Sequence, residues 1–247
     1  MRKQAHRFGA ESIYKEITEV DFSKRPFRLK TYDEEYTADA VIIATGASAK
    51  LLGLDSEKKF MGYGVSACAT CDGFFFKNQK VLGVGGGDTA MEEATYLTNH
   101  ASEVTIIHRR EGLRASTIMQ NRAKKNPKIK FLLNKVIKDV VGTEQNGVKK
   151  MTGVIVEDTR DQSTEEVKAD GLFIGIGHKP NTYIFKGQLD MDDVGYLKVK
   201  HESTYTNIEG VFACGDVIDS KYRQAVTAAG SGCLAALDAE RWLEAQE

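Results

Sequence analysis

The sequence predicts an α/β protein built on parallel β-sheets with helices on their faces. Three observations predict it. First, short apolar runs recur along the chain, at residues 38–45, 80–84, 104–107, 172–176 and 210–213, and read as buried strands. Second, Gly85-Gly86-Gly87 joins one of these runs to a helical pattern at residues 89–97, and a further strand follows at 104–107; that β-turn-α-β order requires a crossover. Third, the chain has 247 residues, 41% hydrophobic and 28% charged, enough for one large soluble domain or two ordinary ones.

The elements follow in order. Residues 13–22 and 27–31 read as two strands, with Ser23-Lys24-Arg25-Pro26 as the turn. The run ADAVIIAT, residues 38–45, is continuously apolar and reads as one buried strand ending in Gly46. Residues 47–64, mixed in character and holding Gly53, Gly62 and Gly64, read as a connection. After the β-turn-α-β unit, residues 115–125 are helical and stop near Pro127. Strands are expected at 130–133, 136–141 and 153–158, and again at 172–176 and 210–213. A long helix, about residues 224–245, closes the chain.

Composition excludes several classes. The formal net charge is -1 and no base-reading motif is present, which argues against a nucleic-acid partner. No apolar run is long enough to span a bilayer, and the opening MRKQAHRFGAES has no apolar core of a signal peptide; the expected compartment is the cytoplasm. Four cysteines, Cys68, Cys71, Cys214 and Cys233, are too few for a disulfide scaffold in so long a chain. The isolated Cys214 and Cys233 read as buried small hydrophobes, and Trp242 as a packing residue of the last helix. His6, His100 and His201 read as surface or loop residues.

Four constellations carry chemistry. Gly85-Gly86-Gly87-Asp88-Thr89-Ala90 fits G-x-G-x-x-A between a strand and a helix, where glycines admit a pyrophosphate close to the backbone and the helix start offers free N–H groups. The following strand runs into His108-Arg109-Arg110, with Arg114 one turn on. An acid at that position would select a ribose hydroxyl; guanidinium groups suit a 2′-phosphate, so NADPH is the expected dinucleotide. Cys68-Ala69-Thr70-Cys71 has the spacing of a reversible disulfide, and a zinc site would need two further ligands at metal-like spacing. Asp72 after it serves either proton transfer or a turn before Gly73. Lastly, Gly215-Asp216 at a strand end and Arg223-Gln224-Ala225 at a helix start suit polyol hydroxyls and an anionic or carbonyl group, or a plain turn and cap.

CATCDG from Cys68, GGGDTAMEEA, HRREGLRA, GVFACGDV and RQAVTAAGSGCLAAL occur in the order and spacing of low-molecular-weight thioredoxin reductases, and the chain resembles that family over nearly its whole length. The resemblance implies two Rossmann-like nucleotide-binding domains. An NADPH domain, residues 49–177, would be inserted into a FAD domain made of residues 1–48 and 178–247; ATGA at 44–47 and GIGHKPNT at 175–182 would mark the crossings. It further implies that Gly85, Gly87, Asp88, Thr89, Ala90, His108, Arg109, Arg110 and Arg114 hold NADPH. FAD would lie against Val20, Thr45, Gly46, Gly215, Asp216, Arg223, Gln224 and Ala225. Cys71 would face the flavin, Cys68 would attack thioredoxin, and Asp72 would be the acid/base. A homodimer, and rotation of one domain against the other, belong to the same implication. The family opens with an apolar strand, a G-x-G-x-x-G turn and a helix under the FAD pyrophosphate, whereas MRKQAHRFGA resembles an internal stretch of it. The chain as given is therefore expected to bind NADPH but little or no FAD, and not to reduce thioredoxin by itself. Two other readings compete: the flavoprotein of alkyl hydroperoxide reductase, which shares these domains, and a non-catalytic NADPH-binding module.

Overall fold

The computed structural model describes residues 2–246. Met1 and Glu247, the outermost residues of the expected FAD domain, lie outside them. The chain forms two compact units: Ala49–His178, which is continuous, and a second assembled from Met1–Ser48 and Lys179–Glu247.

The continuous unit is built on a five-stranded parallel sheet in the order Val65–Ser66, Gly171–Ile174, Lys80–Val84, Glu103–His108, Ile129–Leu133. Both faces are buried, and alternate side chains go to opposite cores. Val81, Ile106 and Phe173 meet Ala90, Met91, Ala94 and Leu97 of the helix Asp88–Leu97, together with Ala123 of the helix Thr117–Lys125. Their neighbours Leu82, Ile107, Leu172 and Ile174 pack on the opposite side against Ile137, Val140, Met151, Val154 and Val156. These last belong to a three-stranded antiparallel sheet, Lys135–Gln145, Val148–Asp158 and Thr164–Lys168.

That second sheet is longer than the sequence reading expects. Residues 142–145 and 148–152 are largely polar, but Asn146 and Gly147 both take positive φ and close a two-residue hairpin, which extends the ladder from Lys135↔Asp158 to Gln145↔Val148. The polar strand Thr164–Lys168 goes unnoticed in sequence for the same reason: it is held by pairing with Val148–Asp158 rather than by apolar character. Residues 47–64 are not simply a connection, since they contain the strand Ala47–Ala49 and the helix Asp55–Phe60.

In the discontinuous unit, Glu19–Asp21, Phe27–Lys30 and Glu35–Ala38 form an antiparallel sheet, and Val41–Ile43 pairs in parallel with Val211–Ala213. The core is Val20, Phe22, Phe27, Ile43, Phe185, Val211 and Val217, with Phe212 on the other strand face against Ala239 and Trp242. Two sequence expectations are corrected here. The strand expected at 13–22 forms only at Glu19–Asp21, because the registered ladder with Phe27–Lys30 begins at Glu19↔Lys30 and residues 10–16 are exposed. The apolar run 38–45 is not one buried strand: Ala38 ends one ladder, Val41 starts another, and Ile42 is 42% exposed.

A candidate dinucleotide cavity and redox disulfide

The strand Lys80–Val84 delivers the chain into the glycine turn. Gly85 has φ +146°, and a methyl there would collide with the carbonyl oxygen of Gly175 and stand 2.8 Å from Cβ of Ala90. Ala90 is itself buried, so the helix lies close against the strand end. Gly87 is the N-cap of the helix Asp88–Leu97 and has open space where a side chain would stand. The turn and helix start open into a cavity of about 570 Å³. That volume suits a nucleotide-sized ligand.

Six sequence-designated residues line this cavity together: Gly85, Gly87, Thr89, His108, Arg109 and Arg114. Arg110 is exposed and lies off the lining, as do Ala90 and Asp88. The Asp88 carboxylate faces the start of the next helix, where its Oδ1 accepts the Ser116 N–H at 2.7 Å. His108 is buried, with Nε2 3.2 Å from the Gly112 carbonyl oxygen. Burial holds its pKa below the usual histidine value; the Gly112 carbonyl opposes this, and Arg114, Arg109 and Arg110 reinforce it. Of the remaining walls, Leu51, Leu52 and Lys135 come from segments that sequence reasoning did not single out, and Gly177 from the stretch 175–182 read there only as a domain crossing. The buried Glu57 carboxylate accepts the N–H groups of Leu52 and Gly53 at 2.8 and 2.9 Å, which fixes the loop carrying Leu52. Only a Glu three to five residues after that loop hints at this in sequence.

In the same unit, Cys68 and Cys71 form a disulfide with their Cα atoms 5.3 Å apart. Cys68 caps the short helix Ala69–Asp72, and its Sγ accepts the Cys71 N–H at 3.2 Å. Cys71 is exposed, Cys68 and Asp72 are half-buried, and Phe74 and Phe75 beyond them are 66% and 73% exposed. No group of three or more metal-ligating side chains occurs among the described residues.

In the other unit, Gly215 has φ +74° and its N–H donates to Ser231 Oγ at 2.9 Å, which sets the Gly215–Val217 turn against the first turns of the helix Ala225–Glu244. Asp216 Oδ1 is buried with no hydrogen-bond partner. Gln224 is the N-cap of that helix and Arg223 before it takes φ +48°. The Asp219 carboxylate, missed in sequence, accepts the N–H groups of Lys221, Tyr222 and Arg223 and holds this approach. Thr45 and Gly46 are fastened to Asn181 by the Thr45 hydroxyl, the Asn181 amide and the Asn181 N–H. Val20 lies in the antiparallel ladder, and its carbonyl oxygen accepts Gln188 Nε2 at 2.8 Å.

The profile of the pyridine nucleotide-disulphide oxidoreductases matches residues 3–232. Thioredoxin reductase of Rickettsia felis is 53% identical over 244 residues, which cover 98% of this chain and 78% of that protein. The chain belongs to the thioredoxin reductase family. Its counterpart in Vibrio cholerae is 52% identical over 253 residues, 100% of this chain and 78% of that protein. Among solved structures, thioredoxin reductase from Giardia duodenalis superposes with a TM-score of 0.90 at 42% identity, over 98% of this chain and 79% of that one. The Streptococcus pyogenes enzyme gives 0.91 at 37% identity, over 98% and 78%. The alkyl hydroperoxide reductase and non-catalytic readings are not favoured by these relatives.

One expectation about lone residues fails. Cys214 is buried, and burial pushes its thiol pKa up, but Cys233 is exposed. The helix Ala225–Glu244 buries only Ala235, Ala239 and Trp242, and Cys233 stands two residues, about 200°, round the helix from Ala235. Among the described residues no helix is long and apolar enough to cross a membrane.

Proposed function

We propose that this chain is an NADPH-dependent thioredoxin-disulfide reductase. The observation that carries the reading is the Cys68–Cys71 disulfide, set in the same unit as a cavity floored by the glycine turn and walled by Arg109 and Arg114. Residues 49–177 are read as the NADPH domain, and residues 1–48 with 178–247 as the FAD domain. The open approach at Gly87 and the N–H groups of the helix start suit the pyrophosphate, and Arg109 and Arg114 suit the 2′-phosphate. The orphaned Asp216 Oδ1 suits a donor hydroxyl of the FAD polyol chain. When bound, nicotinamide and flavin would supply the two electrons needed to reduce the disulfide.

The rest is done by this chain's own side chains. Cys68 Sγ accepts hydrogen bonds from the Cys71 N–H and the Thr70 hydroxyl, at 3.2 and 3.4 Å; after reduction the same donors favour the thiolate on Cys68. That thiolate attacks the thioredoxin disulfide and forms a mixed disulfide, releasing one thioredoxin thiolate. Cys71 then closes on Cys68, releasing the second, so two electrons leave the pair and two thiols appear on thioredoxin. Asp72, half-buried and next in sequence to Cys71, is read as the group that carries the protons. The exposed Phe74 and Phe75 give a protein partner apolar surface next to the sulfurs. A homodimer is part of the same reading, and the exposed Val226, Leu234 and Leu237 offer it apolar surface.

The test is to supply the full chain with FAD, NADPH and oxidised thioredoxin and to count thioredoxin thiols. Thiols should appear in step with NADPH oxidation, in proportion to the FAD the chain takes up, and should be abolished by Cys68→Ser or Cys71→Ser. NADPH consumption without thioredoxin thiols would exclude this substrate.

A further inference from the structure

An acid at the start of the helix Asp88–Leu97 is a physical oddity if the same N-terminus is to receive a pyrophosphate, because a carboxylate there repels the phosphates it sits beside. The structure shows what Asp88 does instead. Three successive backbone N–H groups of the arginine-bearing loop point back into the glycine turn. Those of Arg114 and Ala115 donate to the carbonyl oxygen of Gly86 at 2.7 and 2.9 Å, and that of Ser116 donates to Asp88 Oδ1 at 2.7 Å. Asp88 is exposed and off the cavity lining, whereas Arg114, two residues from Ser116, is on it. Ser116 is also the N-cap of the helix Thr117–Lys125, its hydroxyl accepting the Met119 N–H at 3.4 Å, so the Asp88 bond ties the start of that helix to the start of the other.

We infer that Asp88 is a positioning residue for dinucleotide specificity: its carboxylate holds the Arg114–Ser116 segment on the glycine turn, so that Arg114 stands where a 2′-phosphate is read. The inference rests on the reading of this cavity as an NADPH site. Asp88 lies off the cavity lining and acts through Arg114. NADPH and NADH share a pyrophosphate and differ in the 2′-phosphate, so loosening this segment weakens NADPH and spares NADH.

The charge and the hydrogen bond can be separated. Asp88→Asn removes the charge and keeps an oxygen for the Ser116 N–H; Asp88→Ala removes both. Ser116→Pro removes the donor at a residue whose φ of -56° proline accepts. Dissociation constants of NADPH and NADH for the full chain are measured by calorimetry, without turnover. The unmutated chain should prefer NADPH. Asp88→Ala should weaken NADPH about tenfold, the scale of one charge-assisted bond, and leave NADH within about twofold. Asp88→Asn should retain the preference, Ser116→Pro should lower it as Asp88→Ala does, and the double variant Asp88→Ala with Ser116→Pro should lower it no further. Tighter binding of both dinucleotides in Asp88→Ala and Asp88→Asn alike would mean that Asp88 acts only by its charge and would overturn the proposal, as would equal weakening of both dinucleotides. Equal affinities in the unmutated chain would instead overturn the reading of the cavity and not the role of Asp88 in holding the loop.

Discussion

Adding a single methyl group at either of two glycines in one turn should have opposite consequences. At Gly85 the backbone has φ +146°, a region that L-residues rarely enter, and strain of that kind costs of order 1–3 kcal/mol. The new methyl would also collide with the Gly175 carbonyl oxygen and stand 2.8 Å from the Ala90 Cβ. Neither neighbour can rotate away, since one is backbone and the other has no side-chain torsion, so overpacking adds roughly another 1–3 kcal/mol. Gly85→Ala is expected to lose about 2–6 kcal/mol, which at an m-value of about 2 kcal/mol per molar urea lowers the midpoint by about 1–3 M. Gly87 is the opposite case. Its φ is -96° and nothing lies within 4 Å of the new methyl. Gly87→Ala should cost only about 1 kcal/mol, the loss of a glycine N-cap. The methyl occupies the approach of the pyrophosphate, and losing one charge-assisted bond there weakens NADPH by roughly 10- to 150-fold. Urea unfolding followed by far-ultraviolet circular dichroism, with calorimetric titration of NADPH, measures both effects. A Gly85→Ala midpoint within about 0.2 M of the parent, or parental NADPH affinity in Gly87→Ala, would refute the reasoning.

Three further outcomes are expected. In the native oxidised chain only the exposed Cys233 should react readily with a thiol reagent; mild reduction should add two reactive thiols, mapping to Cys68 and Cys71, while Cys214 stays silent. Replacing Arg109 and Arg114 together by Ala should lower the preference for NADPH over NADH by roughly 30- to 150-fold, from about 1–1.5 kcal/mol for each partly screened contact. Arg110→Ala, off the cavity lining, should change it far less, and titration of both dinucleotides decides. Because the folded chain holds the His108 pKa below the ordinary 6.5, the unfolded chain takes up a proton first as pH falls. Stability should therefore decline as pH drops below about 6.5, until the folded value is passed, and His108→Gln should flatten that decline in melting curves recorded between about pH 8 and 5.5.

The sequence by itself determined the α/β class, the strands of the parallel sheet from Lys80 to Ile174, the glycine turn and the redox pair. These are local signals: both faces of a buried parallel strand are apolar, glycine is required where φ is positive, and a two-residue spacing already brings two sulfurs within bonding reach. Tertiary structure alone decided which charged and polar groups share a space. Arg109, Arg110 and Arg114 are alike in sequence, yet only Arg109 and Arg114 line the cavity, and the Gly86 carbonyl holds the Arg114 segment against the glycine turn. The polar halves of the strands Lys135–Gln145 and Val148–Asp158 pair because Asn146-Gly147 turns them back on each other, not because they are apolar. Cys233 is exposed because the last helix turns only a narrow stripe inward, although its sequence is apolar nearly all round. For the arginines and Cys233 the outcome depends on hydrogen bonds or packing between residues distant in sequence, which no window along the chain contains; the Asn146-Gly147 hairpin is local, and a reading by apolar runs passes over it because the residues it pairs are polar.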